Sequence, residues 1–545
     1  MQTRLREVLN IAGMAAALFL LTLVPVSKAQ AQDYSQYRVD GQELTDREKY
    51  ILGQVKDGKD ADVMGQFVLP LIPDKDRREQ AQKLGLTDYL DYLEKLNKED
   101  REEFLKSYGP KLRIRAGFLR KLLTGDFPDF HIHPHGVRIY NVLLEEPLNL
   151  EGTEVDQIFA LLNSILQGGA VFRDSCFKKL LLFNKVNFAG KADFHRVRVA
   201  KNLVIQGSTF QGPVNFAGAD IERQFNAKEA KFLNEEETAQ LYGLKVGKIA
   251  SFEGAVFKGP VDLSGADIGQ AFNANKAKFL KENEKIKLHD MKVGQAGFFY
   301  NVIFEGPVDL RYSNIQGLEF VKVKCPKVDL EGVTYNYIYA GEDWRKLLQL
   351  LKKAPYHSQP YRQMETFLKQ TGYPERGDEV FISGKRRAWK LYWDWKKPWQ
   401  WPGKILEKIL LDWGVGYGRH PGRIIYYSVF FIFLGTVIFL QPAVLTWEGG
   451  EAEKQIRLKQ AFWFSLDAYL PFVSLGPDKF YQLNRDTLIS LASFIPKGLT
   501  SRFPKGLQDW LTNRHLAGTT YFYLHQLAGY VLVSIGIAAV TGIVK

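Results

Sequence analysis

The chain has 545 residues, of which 46% are hydrophobic and 25% charged, and it carries a formal net charge of +12. That balance excludes a globally disordered polymer, and the length allows several structural units. The basic residues are widely spread, with one dense run from Lys385 to Lys408 beside an apolar segment, which points to phospholipid headgroups and away from nucleic acid.

Residues 1–31 read as a secretory signal. Arg4 and Arg6 form a positive start, Ile11 to Val24 is an apolar stretch too short for an ordinary spanning helix, and Ala29-Gln30-Ala31 supplies a small-x-small cleavage site. Cleavage is expected after Ala31, which places the chain from Gln32 outside the cytoplasm.

Residues 32–135 read as a helical cap. Leu86, Tyr89, Leu90, Leu93 and Leu96 recur at spacings of three and four, and the run Phe118 to Leu123 stops before Gly125, with Pro128 just beyond. His131, His133 and His135 then alternate. On an extended strand, neighbours such as His131 and His133 lie about 6.8 Å apart on one face and could chelate a metal ion. Pro134 bends the path, however, and the expected role is a solvated junction.

Residues 136–341 are repetitive. Gly-Pro-Val-Asn-Phe begins at Gly212, and Gly-Pro-Val-Asp-Leu begins at Gly259 and again at Gly306, a spacing of 47 both times. Phe225-Asn226-Ala227 recurs as Phe272-Asn273-Ala274 at the same offset, and Ala230-Lys231-Phe232 as Ala277-Lys278-Phe279. A finer spacing of five runs through Leu310, Ile315, Phe320, Cys325, Leu330 and Tyr335. Helices need about 3.6 and strands 2; a five-residue unit fits a coil that turns a corner after each unit. Glu-rich Asn234 to Gln240 reads as an insertion bulging from one coil. Cys325 falls at an inward position, whereas Cys176 precedes the inward Phe177 and faces out. Several coils stacked about 4.8 Å apart separate the two, too far for a disulfide. Two cysteines also exclude a cysteine-rich zinc site.

From Val137 to Tyr335 these units resemble pentapeptide-repeat proteins, although valine often stands where that family has alanine. The resemblance implies a right-handed quadrilateral β-helix with four units per coil, a mainly β solenoid. The open end of such a solenoid is a raw sheet edge, which the N-terminal helices are placed to cover.

Residues 342–420 are expected to form further helices that cap the other end and lead toward a membrane. Trp389, Trp393, Trp395, Trp399 and Trp401 are interleaved with Lys390, Lys396 and Lys397, a pairing favoured at the headgroup level. Residues 421–545 read as a two-helix membrane module. Ile424 to Leu440 and Thr520 to Val544 are the spanning segments, the second with a small-residue face at Ser534, Ala538 and Gly542. Between them, Phe462 to Gly476 is apolar but too short to cross, as a re-entrant segment would be. It contains Ser465 and the one acidic residue of the stretch, Asp467, a candidate for function at membrane depth. His525 is a further candidate, placed to bond a backbone carbonyl or a neighbouring helix, or to meet an ion.

The order helix, short segment, helix resembles the pore module of two-helix potassium channels, which implies ion conduction. The loop lacks the filter sequence, however, and Gly414-Val415-Gly416-Tyr417-Gly418 precedes the first helix, where a glycine-rich turn is expected. The C-terminal third also resembles bacterial proteins that join such repeats to a membrane module and are often labelled membrane-associated oxidoreductases. The matching residues are Gly416-Tyr417-Gly418-Arg419-His420-Pro421, Ser465-Leu466-Asp467 through Leu475-Gly476, and Leu524-His525 through Thr541-Gly542. No dinucleotide fingerprint, Cys-x-x-Cys pair or haem attachment motif accompanies that label, so no catalytic residue and no cofactor is assigned.

The sequence therefore reads first as a binding or scaffold protein of the bacterial inner membrane. Its partners are the lipid bilayer and either another protein or further copies of itself, and its β-helix stands outside the cytoplasm in the cell envelope. Ten lysines and arginines between residues 385 and 423 oppose that orientation under the positive-inside rule. The alternatives are a pore subunit with the solenoid as sensor and, further off, an oxidoreductase.

Overall fold

The structure is a computed structural model that describes residues 34–339, 344–394, 396–441, 444–447, 457–470 and 515–541, together with 473, 475–476, 481–483, 488–490 and 505. The expected signal, residues 1–31, and Trp395 lie outside the described residues. The chain divides into two compact units, Met1–Pro355 and Tyr356–Lys545.

The first unit is a parallel β-solenoid flanked by helices. Its coils stack as four ladders of short strands. One ladder has nine strands, from Leu148–Asn149 to Val328–Asp329, another has eight, and two share a 17-stranded sheet. Leu148 pairs with Ala170, Ala170 with Ala192 and Ala192 with Val214, so a coil takes 22 residues. Asn215 pairs with Gln240 and Asp262 with Lys287, so these coils take 25. One coil of each length makes the 47-residue repeat. The extra residues sit in exposed bulges, one of them organised by Asn234, whose Oδ1 accepts the N–H groups of Glu236 and Glu237. Only that tip of the expected insertion leaves the coil, because Ala239–Gln240 has already rejoined the ladder.

The uniform five-residue unit needs correction. Strands begin at Leu148, Glu154, Phe159, Ile165 and Ala170, at intervals of six, five, six and five. Each longer unit spends a residue on a left-handed corner. Gly152, Asp174, Arg196 and Gly218 occupy one such corner in successive coils, and Asn141, Asn163, Lys185 and Gly207 another, all at positive φ. Glycine, asparagine and aspartate accept that conformation most readily. The spacing read from 310–335 belongs to the final coil, which shortens to 20 residues, since Val308 pairs with Val328.

Alternation along each short strand sends one side chain inward and the next outward. Phe188, Phe210, Phe232, Phe257, Phe279 and Phe304 form a stack inside the coils with centroids 4.4–5.0 Å apart. On the nine-stranded face, Asp193, Asn215 and Asp262 each use Oδ1 to accept the N–H two residues on, at 3.0–3.1 Å, which folds the next corner. Both cysteines are free, Cys325 buried and Cys176 half-buried.

Among the described residues, six α-helices precede the solenoid: Asp46–Lys56 (α1), Val63–Phe67 (α2), Lys75–Leu84 (α3), Leu86–Leu96 (α4), Lys98–Leu112 (α5) and Ala116–Thr124 (α6). The strand Ala61–Asp62 pairs in parallel with Ile139 and Tyr140, so the cap itself completes the sheet edge. Asn141 joins the two parts: its Oδ1 accepts the Leu86 N–H at 2.8 Å and its Nδ2 donates to Asp62 at 2.7 Å. Leu86, Tyr89, Leu90 and Leu93 are buried as expected, whereas Leu96 ends its helix exposed. Fully buried Glu48 is held by Arg115 at 2.6 and 2.9 Å and closes a capping box with Thr45. At the other end, Arg345–Lys353 (α7) buries Leu347 and Leu351, and Lys353 Nζ donates to the Cys325 carbonyl at 3.0 Å.

Among its described residues the second unit includes the helices Ser358–Gln370 (α8), Pro374–Leu391 (α9), Trp401–Glu407 (α10) continuing into the π-helical Lys408–Gly414, Arg423–Phe439 (α11), Leu458–Tyr469 (α12) and Gly518–Val540 (α13). Among the described residues one helix, Thr519–Val540, is long and apolar enough to cross a membrane. Two were expected. Helix α11 has 17 residues and is about 25 Å long, because the turn at 416–422 delays its start and it ends before Pro442.

Candidate functional site

Helix α12 packs between α11 and α13, and polar groups join the three where apolar helices meet. His525 is almost fully buried. Its Nε2 lies 3.0 Å from the Ser465 carbonyl and 3.2 Å from Ser465 Oγ, while Oγ itself donates to the Ile432 carbonyl at 2.8 Å. A carbonyl can only accept, which assigns the proton to Nε2. Nδ1 is then an acceptor and faces the Tyr521 hydroxyl at 3.4 Å. Tyr469 adds a bond to Ser428 Oγ at 2.9 Å.

This arrangement brings together two of the sequence candidates, Ser465 and His525, and defines what they can do. The Ser465 hydroxyl gives its proton to a backbone carbonyl and His525 Nε2 carries its own, so neither acts as base or nucleophile toward the other. They fasten helices. The helices are close enough that glycine is required at two crossings. A Cβ on Gly435 would overlap Ser465 Oγ and approach the His525 ring, and one on Gly529 would overlap the Tyr469 carbonyl. Sequence reading missed Gly435, Gly529, Tyr469 and Tyr521; only Tyr521 carried a signal, standing one helical turn before His525. The helix α13 face that meets α11 uses Gly536, near Ile424, and Ala539. Of the expected small-residue face, Ser534 is exposed, Ala538 half-buried, and Gly542 outside the described residues.

The third candidate, Asp467, is half-buried two residues farther along α12, and its carboxylate accepts the N–H of Leu475. It ties the segment after the helix back onto the helix. Most of that segment, between residues 471 and 474, lies outside the described residues.

Before α11, Gly416, Tyr417 and Gly418 are three successive left-handed residues. The glycine-rich turn expected there is present, and a set of ion pairs missed by the sequence reading holds it. Arg419 reaches Glu365 and Asp378, and its guanidinium lies 4.3 Å from the Phe381 ring centroid. Lys369 joins the same carboxylates at 2.8 and 2.9 Å. Arg386 grips buried Asp412 at 2.7 and 2.8 Å.

The tryptophan segment separates into two roles. Trp389, Trp393 and Trp401 pack together, with centroids 4.8 and 5.9 Å apart, and Trp389 Nε1 donates to the Lys404 carbonyl. These three join α9 to α10. Trp399 points outward, and Ile405, Leu406, Ile409 and Trp413 are exposed on the helix that follows, beside Lys404 and Lys408.

No family model matches the chain, and no curated protein or solved structure matches it significantly.

The histidines near residue 133 dock the cap. His133 Nδ1 accepts the His135 N–H at 3.2 Å, and His135 Nδ1 lies 3.1 Å from the Gly58 carbonyl. The two rings are 4.5 Å apart. His131 joins no metal-ligating group with them among the described residues.

Proposed function

We propose that this chain is a membrane-anchored scaffold whose second unit sits in the bilayer and whose solenoid presents ladders of side chains to a partner outside the cytoplasm. The observation that carries the reading is the apolar surface of α11 and α13. Tyr426 is 77% exposed, Phe433 66%, Leu527 57% and Val540 76%, around a bundle whose polar groups are turned inward and satisfied. Water penalises such a surface and acyl chains do not. In this reading α13 spans the bilayer and α11, extended by its flanks, accompanies it. Helix α12 is the short segment between them, and Trp399, Trp413 and the adjoining lysines lie at the headgroups.

The resemblance to pentapeptide-repeat membrane proteins supports the same assignment, and the alternation of six- and five-residue units is a variation on that theme. The solenoid suits a scaffold because each coil contacts only its neighbours, so outward residues vary without disturbing the inward stack. Protease added to intact spheroplasts tests the reading. Cleavage in the solenoid, with the chain resisting carbonate extraction, supports it; protection of the solenoid, or release of the chain by carbonate, refutes it.

A second reading, a pore subunit, is favoured by one observation: a short helix braced between two longer ones, with Asp467 closing the segment behind it. Ion flux through vesicles containing the purified chain, lost in Asp467→Ala, would select it.

A further inference from the structure

The coils bring one row of basic side chains into register. Lys179, Lys201, Arg223 and Lys248 each stand three residues after a strand start, and those starts, Cys176, Arg198, Asp220 and Lys245, pair rung to rung. Backbone bonds hold the row together. The Arg223 N–H donates to the Lys201 carbonyl at 3.2 Å, and the Lys248 N–H to the Arg223 carbonyl at 2.8 Å. Coils rise about 4.8 Å, so four cations line up over about 14 Å. Lys179 is half-buried and the other three are exposed. The row lies wholly within the first unit.

Like charges on adjacent rungs repel, and a solenoid stacks them with no freedom to separate. Among the described residues none of the four makes an ion pair, whereas neighbouring Lys178 is held by Glu154 and Asp156 at 2.5 and 2.8 Å. Residues 176–179, 198–201, 220–223 and 245–248 together carry seven basic groups and two acidic ones, Asp220 and Glu222. Asp220 lies between Arg198 and Lys245 on the rungs either side, which leaves Glu222 as the one carboxylate beside the row. The excess is bounded, because glutamine takes the same place in the coil before, at Gln157, and in the next coils, at Gln270 and Gln295. An anion whose charges follow one line relieves the repulsion. A nucleic-acid strand carries a charge about every 3.4 Å and is bound through stacking on aromatic side chains when single. No aromatic side chain stands among residues 178–180, 200–202, 222–224 and 247–249. A chain of sugars bearing one carboxylate each advances about one coil per residue. Its carboxylates keep step with the rungs, or with every second rung where the chain turns alternate ones away, and the flanking glutamine amides suit its hydroxyls.

We propose that the row Lys179, Lys201, Arg223 and Lys248 binds a linear polyuronate lying along the solenoid axis. This names a partner for the scaffold and rests on that reading only for the side of the membrane. Spheroplast digestion tests the side, and binding is measured on purified protein, so the two failures are distinguishable. The full chain in nanodiscs of zwitterionic lipid is titrated by calorimetry at low salt with four probes. These are the β-1,4-linked hexamer of mannuronate, the neutral hexamer of mannose, a thymidine oligonucleotide and phosphatidylglycerol vesicles. The mannuronate hexamer is expected to bind tightest and to weaken steeply as salt rises, and the mannose hexamer not to bind. Lys201→Gln with Arg223→Gln should weaken mannuronate about tenfold and reduce the salt slope by about two, one for each charge removed. Lys278→Gln, exposed on the eight-stranded ladder, should change neither. The paired substitution relieves repulsion and should not lower the unfolding temperature, which separates lost binding from lost fold. Absence of mannuronate binding, equal binding of the mannose hexamer, binding untouched by the paired substitution, or tighter binding of the oligonucleotide or the vesicles overturns the proposal.

Discussion

Phe232 and Phe257 lie face to face, with ring centroids 4.4 Å apart and planes 1° from parallel. They occupy the same position in adjacent coils, paired in register. Each ring fills the floor of one coil and the ceiling of the next, so removing one opens two layers. Phe257→Ala is expected to cost about 3–5 kcal/mol, the range for a buried phenylalanine, with the lost ring contact adding about 1 kcal/mol. Phe257→Leu should cost clearly less. Urea unfolding followed by far-ultraviolet circular dichroism of the two variants checks the order.

Glu48 provides a pH signature for the cap. Burial alone would push its carboxyl up, but hydrogen bonds from Arg115 and from the Thr45 N–H, with the Arg115 charge, hold it below the ordinary carboxylate value. A carboxyl whose folded pKa is depressed gives up its proton more readily in the folded state. Its stabilisation is therefore full above the unfolded pKa and is lost as pH falls through the folded one. Glu48→Gln should lose about 3 kcal/mol at neutral pH and flatten the acid limb of the stability profile. Unfolding midpoints from neutral to strongly acidic pH, compared between wild type and variant, measure both.

The repeats were legible where physics restricts the residue type. A stack of rings needs large apolar side chains at fixed offsets, so the 47-residue spacing is visible in Phe232 and Phe279. The 22-residue coil was hidden, because its extra residue stands at a corner that tolerates many side chains: Gly207, Lys185, Glu229 and Asn163 share one corner's conformation. In the second unit, His525 and Ser465 were legible as polar residues in apolar runs. Gly435 and Gly529 were not, since their role is the absence of a Cβ at a crossing, which only the packing reveals. The Arg419 and Arg386 pairs join residues 54 and 26 positions apart, a distance at which charge alone names no partner.

Those glycines make a sharp prediction. Gly529→Ala places a methyl group against the Tyr469 backbone, which cannot move without shifting α12, and Gly435→Ala crowds Ser465 and His525. Each should destabilise the three-helix unit by about 1–3 kcal/mol, the usual cost of overpacking. Gly403→Ala, where no atom lies within 4 Å of the new Cβ, should leave it unchanged. Thermal aggregation of the purified chain in one detergent, compared across the three variants, separates them.

Arg419 should not be replaceable by lysine. Its guanidinium reaches two carboxylates while lying over the Phe381 ring, a geometry that a single ammonium cannot reproduce. Arg419→Lys should loosen the left-handed turn at Tyr417 and increase proteolysis there several-fold, whereas Arg423→Lys, at the half-buried start of α11, should not. Limited proteolysis with mapped cleavage sites measures the difference.

The last prediction concerns how Asp467 acts. Its carboxylate accepts the Leu475 N–H, a task that needs an oxygen in that position and not a charge. Asp467→Asn keeps a carbonyl oxygen and should keep the segment closed, while Asp467→Ala removes the acceptor and leaves the N–H to water. The alanine variant alone should then show faster amide exchange at Leu475, by about tenfold if the bond is worth about 1.4 kcal/mol. Hydrogen exchange read by mass spectrometry on the peptide spanning 470–476 tests this directly. Exchange accelerated equally in both variants would mean that the carboxylate acts through its charge, the behaviour required of a group that meets ions, and exchange unchanged in both would mean that the bond does not hold the segment.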